Sequence, residues 1–264
     1  MRLFALKVPP TVPEDTFDRL LHHIPETAHA RVRKFRHEAD AILDLLGSLA
    51  GRLLPTWYLR ESGLVPPPTH PQFKHKSRGK PYLSSPVLAR ALDFNTSHEG
   101  AYVLLAVVEG DGDGSGPEVD VGVDVMDLPT DPDELYDSIS YQLTLPERLA
   151  VAGTSGKVKA KLLTTLWTIK EGFTKATGDG ISFGLDRIEV DMGDGAVAGV
   201  KVDGKDIRQE GWTWAVGSID GGDYGWAVIW RGEATRPAGP VVLETIRWDD
   251  FVKAFIGSPS HNIA

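Results

Sequence analysis

The segment Val119-Asp-Val-Gly-Val-Asp-Val-Met126 constrains this chain more than any other. Apolar and polar residues alternate through it, and a period of two is the signature of a β-strand. Val119, Val121, Val123 and Val125 share one face; Asp120, Gly122, Asp124 and Met126 share the other. The centre of the chain is therefore sheet, and one face of that sheet carries carboxylates.

Downstream, Trp167, Glu171 and Lys175 are spaced by four in a stretch that reads as a helix ended by Gly178 and Gly180. One carboxylate and one ammonium then stack on a single helical face. If the face looks into a cleft, Glu171 can hold a metal or take a proton and Lys175 can hold a phosphate. If it looks into solvent, the two form an ordinary ion pair worth about 0.3–0.5 kcal/mol. The helix alone leaves both open.

The rest of the chain alternates between classes. Residues 27–60 predict one helix or two, with an apolar stripe at Ile42, Leu45, Leu46, Leu49, Leu53 and Leu54, broken by Pro66 to Pro68. Leu92 to Val108 predicts a hairpin turning at Glu99-Gly100, followed by the Gly-rich loop at 110–117. Helices are expected from about Asp131 to Thr177. Trp212 to Val216 and Tyr224 to Trp230 flank Asp220-Gly-Gly-Asp223 as a second hairpin, its tryptophans read as sheet packing. Each half thus gives a long helix followed by antiparallel strands. The expected fold is α+β: two similar subdomains, 1–117 and 118–264, each a small antiparallel sheet packed on a long helix. They would be related by a pseudo-twofold axis, with the active site in the cleft between them.

Composition narrows the function classes. The 264 residues carry a net charge of −9, which disfavours a general nucleic-acid binder. No apolar run reaches the roughly 20 residues that span a bilayer. The absence of cysteine removes disulfides and thiol chemistry, and fits a cytoplasmic protein. Positive charge is nevertheless concentrated, at Arg31, Arg33, Lys34, Arg36 and His37 and again at Lys74, His75, Lys76, Arg78 and Lys80. These clusters are either a site for a small polyanion or solvated surface.

Four blocks, in order, carry a resemblance: Gly79-Lys80-Pro81-Tyr82, Phe94-Asn95-Thr96-Ser97-His98-Glu99, Gly122-Val123-Asp124-Val125-Met126, and Trp167-Thr-Ile-Lys170-Glu171 through Lys175 and Gly178. Together with Phe35 through Arg52, they resemble the 4′-phosphopantetheinyl transferases of the monomeric, pseudo-dimeric type. The methionine at 126 is similar to the broad-range, aminoadipate-reductase-activating members. The resemblance implies transfer of the 4′-phosphopantetheine arm of coenzyme A to a serine of acyl or peptidyl carrier domains, by a monomer. It implies a magnesium ion, with manganese as the alternative, held by Asp124 and Glu171. Lys175 would neutralise the pyrophosphate and Glu171 would take the serine proton, so the expected catalytic set is Glu171, Lys175 and Asp124. Ser97, His98 and Lys80 would bind the 3′-phosphate of coenzyme A, Gly79 and Pro81 would lie near its adenine, and Arg31 and Arg52 would add charge. The alternative within the same resemblance is a non-catalytic coenzyme A-binding or carrier-interaction module.

The sequence departs from the family at Met126, where many members carry a glutamate on the face of the strand aspartate. Asp127 faces the other way by alternation. Glu99, directly after Ser97-His98, is then the candidate for a third acidic ligand, or else a turn glutamate.

Overall fold

The computed structural model of the chain describes residues 1–26, 29, 39–110, 118–232 and 240–256, with 39–48 and 181 by their backbone alone. The basic cluster at 31–37, Arg31 included, and the loop at 111–117 lie outside the described residues.

Two sheets stacked face to face make the centre of the molecule. The first contains β1 (Arg2–Lys7), β4 (Leu92–Glu99), β5 (Tyr102–Glu109) and β12 (Leu243–Ile246) in the order β12-β1-β5-β4. The second contains β6 (Asp120–Asp127), β10 (Trp212–Ile219) and β11 (Tyr224–Arg231) in the order β10-β11-β6. The alternation of the valine strand holds: Val121, Val123 and Val125 of β6 join Trp226, Val228 and Trp230 of β11. They pack against Leu3, Ala5, Leu104, Ala106 and Val108 of the first sheet, an apolar layer removed from water on both sides.

Helices cover the outer faces. Phe4, Leu6, Phe94, Val103, Leu105 and Val107 turn away from the sheet–sheet layer. They pack on α1 (Glu14–Leu21), α2 (Ala39–Glu61) and α6 (Trp248–Ile256). On the other outer face, Ala227 and Ile229 meet α5 (Gly156–Thr177), which follows α3 (Pro132–Ile139) and α4 (Leu145–Ala152). A small sheet of β7 (Ile188–Gly193), β8 (Ala196–Val202) and β9 (Lys205–Asp206) closes that core. A hairpin of β2 (Gln72–His75) and β3 (Pro81–Ser85) stands apart from both sheets. The α+β class and both expected hairpins are present. Among the described residues no helix is long and apolar enough to cross a membrane.

The expected division at 117/118 needs correction at the C-terminal end. β12 pairs in parallel with β1, Leu3 opposite Leu243 through Leu6 opposite Ile246, and Phe251 and Phe255 are buried in the first helical core. The last described segment therefore belongs to the first half, because the edge of β1 and the apolar face of α1 would otherwise be exposed. The first sheet is mixed rather than purely antiparallel for the same reason.

One contact sets the distance between β6 and α5. A Cβ on Gly122 would lie 2.0 Å from the Gly172 carbonyl oxygen and 2.3 Å from the Ala176 nitrogen. Glycine is required there by close approach of two backbones. A second contact fixes α5 from its far side. Lys170, fully buried, donates to the Leu185 carbonyl at 2.9 Å and to the Ile188 carbonyl, and pairs with Glu147 at 2.9 Å. Glu147 in turn accepts from the backbone nitrogens of Thr144 (2.7 Å) and Val190 (2.8 Å). Removing one partner strands the other charge in the core. Lys170→Met is expected to destabilise the fold by about 3–5 kcal/mol in thermal or urea unfolding. The double variant Lys170→Met/Glu147→Leu should recover a large part of that loss.

Candidate functional site

Among the described residues, the edge of β6 that faces away from β11 does not pair with a strand. Its backbone nitrogens are met instead by side chains from β4: Val121 donates to Asp93 Oδ2 at 2.8 Å and Val123 donates to the Asn95 side-chain carbonyl at 2.9 Å. Asp93, Asn95 and Ser97 alternate along β4, so all three point to the same side. The third step of this ladder is side chain to side chain, with Ser97 Oγ donating to Asp124 Oδ1 at 2.9 Å. The seam that joins the two halves thus ends at the carboxylate singled out on β6.

Helix α5 supplies the rest. Lys175 Nζ lies 2.5 Å from Asp124 Oδ1 and 3.0 Å from Ser97 Oγ. Ser97 is buried in this triangle, accepting from the ammonium and donating to the carboxylate. One turn earlier, Glu171 has its Oε1 buried with no hydrogen-bond partner. Burial first, and the nearby Asp124 charge second, push its carboxyl above the usual range, while Lys175 pulls the other way. The Glu171–Lys175 face therefore looks into the protein, not into solvent.

These residues line one cleft of about 520 Å³, together with Thr96, His98, Glu99, Met126, Leu135, Ile139 and Trp167. Trp167 packs on the second helical core, as expected of a residue that anchors the helix. His98 is exposed at the rim, whereas Ser97, its neighbour on the strand, is buried; both line the cleft. Asp127, exposed at the end of β6, borders the rim. Among the described residues, no three carboxylate or imidazole side chains are close enough together, as placed, to form a metal cluster. A larger cavity of about 750 Å³ lies over α2, β12 and α6, but none of the motif residues lines it.

The remaining candidates fall in two groups. Arg52 is half-buried on α2 beside Gly51, where a Cβ would lie 3.7 Å from the Thr96 hydroxyl, so this helix runs past the cleft. Gly79 makes the turn between β2 and β3 with φ +93°, a left-handed conformation that favours glycine, and Pro81 opens β3. Lys80 is enclosed. Its side chain is 2% exposed and pairs with Asp93, which is 4% exposed, and it donates to the Ala176 carbonyl at 2.8 Å. Burial pushes its ammonium down and the Asp93 carboxyl up. Asp93 and Asn95 are not among the site residues expected from the sequence. The signal for these two was present in the alternation of 93, 95 and 97, but their partner strand was not identifiable without the fold.

Comparisons with known proteins place the chain in one family. A family profile described as "4′-phosphopantetheinyl transferase, N-terminal" matches residues 10–110, and one described as "4′-phosphopantetheinyl transferase superfamily" matches residues 120–229. The chain is 32% identical over 189 residues to a 4′-phosphopantetheinyl transferase of Paxillus involutus, covering 68% of this chain and 69% of that one. It is 30% identical over 229 residues to a phosphopantetheinyl transferase of Thraustochytrium sp., covering 82% and 74%. To the L-aminoadipate-semialdehyde dehydrogenase-phosphopantetheinyl transferase of Mus musculus it is 30% identical over 173 residues, covering 61% and 50%.

The raised Glu171 carboxyl has a consequence for stability. The folded state favours the protonated acid, so its contribution is full below the ordinary carboxylate range and is lost as pH rises through the raised value. Glu171→Gln mimics the protonated form. The variant is expected to melt a few degrees above the parent at pH 8 and at nearly the same temperature at pH 4, read by thermal shift in chelator.

Proposed function

Because the chain belongs to the 4′-phosphopantetheinyl transferase superfamily, we propose that the cleft between β4, β6 and α5 is its active site. The protein is a coenzyme A-dependent enzyme that moves 4′-phosphopantetheine onto the serine of a carrier-protein domain and releases adenosine 3′,5′-bisphosphate. The observation that carries the assignment of the site is convergence. Residues from three separated segments, Ser97 to Glu99, Asp124 and Glu171 to Lys175, line a single cleft.

In the transfer, the serine oxygen bonds to the phosphorus that carries the pantetheine arm, and the bond from that phosphorus to the bridging oxygen breaks. The serine proton must be accepted and the charge on the leaving phosphate must be met. Glu171 suits the first role because it lines the cleft and its buried Oε1 has no competing hydrogen bond. Lys175 suits the second, as a point charge on a helix already fixed against Asp124. Our candidates for the 3′-phosphate are His98, exposed at the rim, and Arg52, half-buried on α2.

We propose that a divalent cation is held by Asp124 and Glu171, with Glu99 drawn in as a third donor, since the three carboxylates are not gathered as placed here. Asp124, Glu171 and Glu99 are hard oxygen donors on one cleft, and the unpartnered buried oxygen of Glu171 beside a second carboxylate is the environment that a cation relieves. Bound there, magnesium or manganese would neutralise the charge of the pyrophosphate oxygens. With Met126 in place of a carboxylate, Glu99 takes on more of the ligand set.

Mass spectrometry of an apo carrier domain incubated with the protein, coenzyme A and magnesium is expected to show the gain of one phosphopantetheine. The gain should disappear with chelator and with Asp124→Ala; no gain with several carrier types would refute the assignment. Glu99→Ala is expected to raise the magnesium concentration needed for half-maximal rate about tenfold, the order seen when a ligand's support is removed. An unchanged magnesium titration would exclude Glu99 from the site.

A further inference from the structure

We infer that Lys80 and Asp93 form a positioning pair, which holds the end of α5 against β6 and so sets Glu171 and Lys175 opposite Asp124. Neither would touch the coenzyme. The inference rests on the active-site assignment above, and three observations carry it.

First, Lys80 is committed elsewhere. Its ammonium is buried, pairs with Asp93, lies 3.9 Å from Asp120 and donates to the Ala176 carbonyl at 2.8 Å. It does not line the catalytic cleft. Second, both of its partners belong to the catalytic frame. Ala176 is the next residue after Lys175 and sits in the last turn of α5, where carbonyls lack helical partners and the helix end is negative. Asp93 Oδ2 also accepts from Val121 of β6, three residues before Asp124. One ammonium and one carboxylate thus connect helix end, strand edge and β4. Third, the hairpin that carries Lys80 is itself docked on the helix end. Arg78 pairs with Asp179, and a Cβ on Gly178 would lie 3.4 Å from Lys80 Cβ. The β2–β3 hairpin is a clamp on the C-terminal end of the catalytic helix.

Two measurements test this. In the first, the wild-type enzyme is labelled with an amine-reactive reagent, with and without coenzyme A, and lysine modification is read by peptide mass spectrometry. Lys80 is expected to stay unmodified in both states. Modification in the free enzyme, whether or not coenzyme A suppresses it, overturns the proposal. This readout does not depend on the transfer activity, so failure of the active-site assignment would leave it interpretable. In the second, Lys80→Met is compared with wild type using coenzyme A and its 3′-dephospho form. The expected result is an unaltered Kd and stoichiometry for coenzyme A and a fall in kcat of about tenfold or more, equal for the two donors, as misplacement of reacting groups produces. A lost preference for coenzyme A over the dephospho form, with kcat retained, would show that the ammonium binds the 3′-phosphate.

Discussion

The structure depends on how the bare edge of β6 is satisfied. Its outward nitrogens are buried at the junction of two sheets, where an unmet backbone donor costs about 1–3 kcal/mol. Among the described residues no strand pairs there, and alternate side chains of β4 serve instead: Asp93 for Val121 and Asn95 for Val123. The same alternation carries Ser97 to Asp124. The seam that joins the halves and the wall of the cleft are therefore one set of residues, and the site could not be loosened without opening the fold.

Helix α5 is fixed to this seam from three sides. Gly122 and Gly172 let its backbone touch β6, Lys170 anchors it to Glu147 and the β7 side, and Lys80 holds its last turn. Each of these lysines thus has a separate role. Lys170, adjacent in sequence to Glu171, points into the core; Lys175 points into the cleft. The buried charges are costly, and the energy offset comes from fully formed hydrogen bonds around each. Among the described residues, the buried carboxylate oxygen without a partner is that of Glu171, in the cleft. An unfavourable electrostatic position thus falls where chemistry is expected.

The motif residues were legible because they reside in strongly periodic segments. The alternation of 119–126 gave β6 and its faces, and the spacing of 167, 171 and 175 gave the helical face. The burial of Lys80 was illegible, because charge in a Gly-Lys-Pro turn looks exposed in sequence and its burial depends on Asp93 and Ala176, remote in the chain. The return of β12 to β1 was illegible for a similar reason, since a parallel partner 240 residues away leaves no local signal.

By itself the sequence determined the α+β class, the strand and helix that bear the reactive groups, and which of those groups share a face, because each is a property of local period. The tertiary structure alone decided that the Glu171–Lys175 face meets Asp124 rather than water, that Ser97 closes a triangle with them, and that Lys80 is buried against Asp93 and the Ala176 carbonyl. Those outcomes follow from which distant backbone groups need partners once two sheets are brought together, and no periodicity records that.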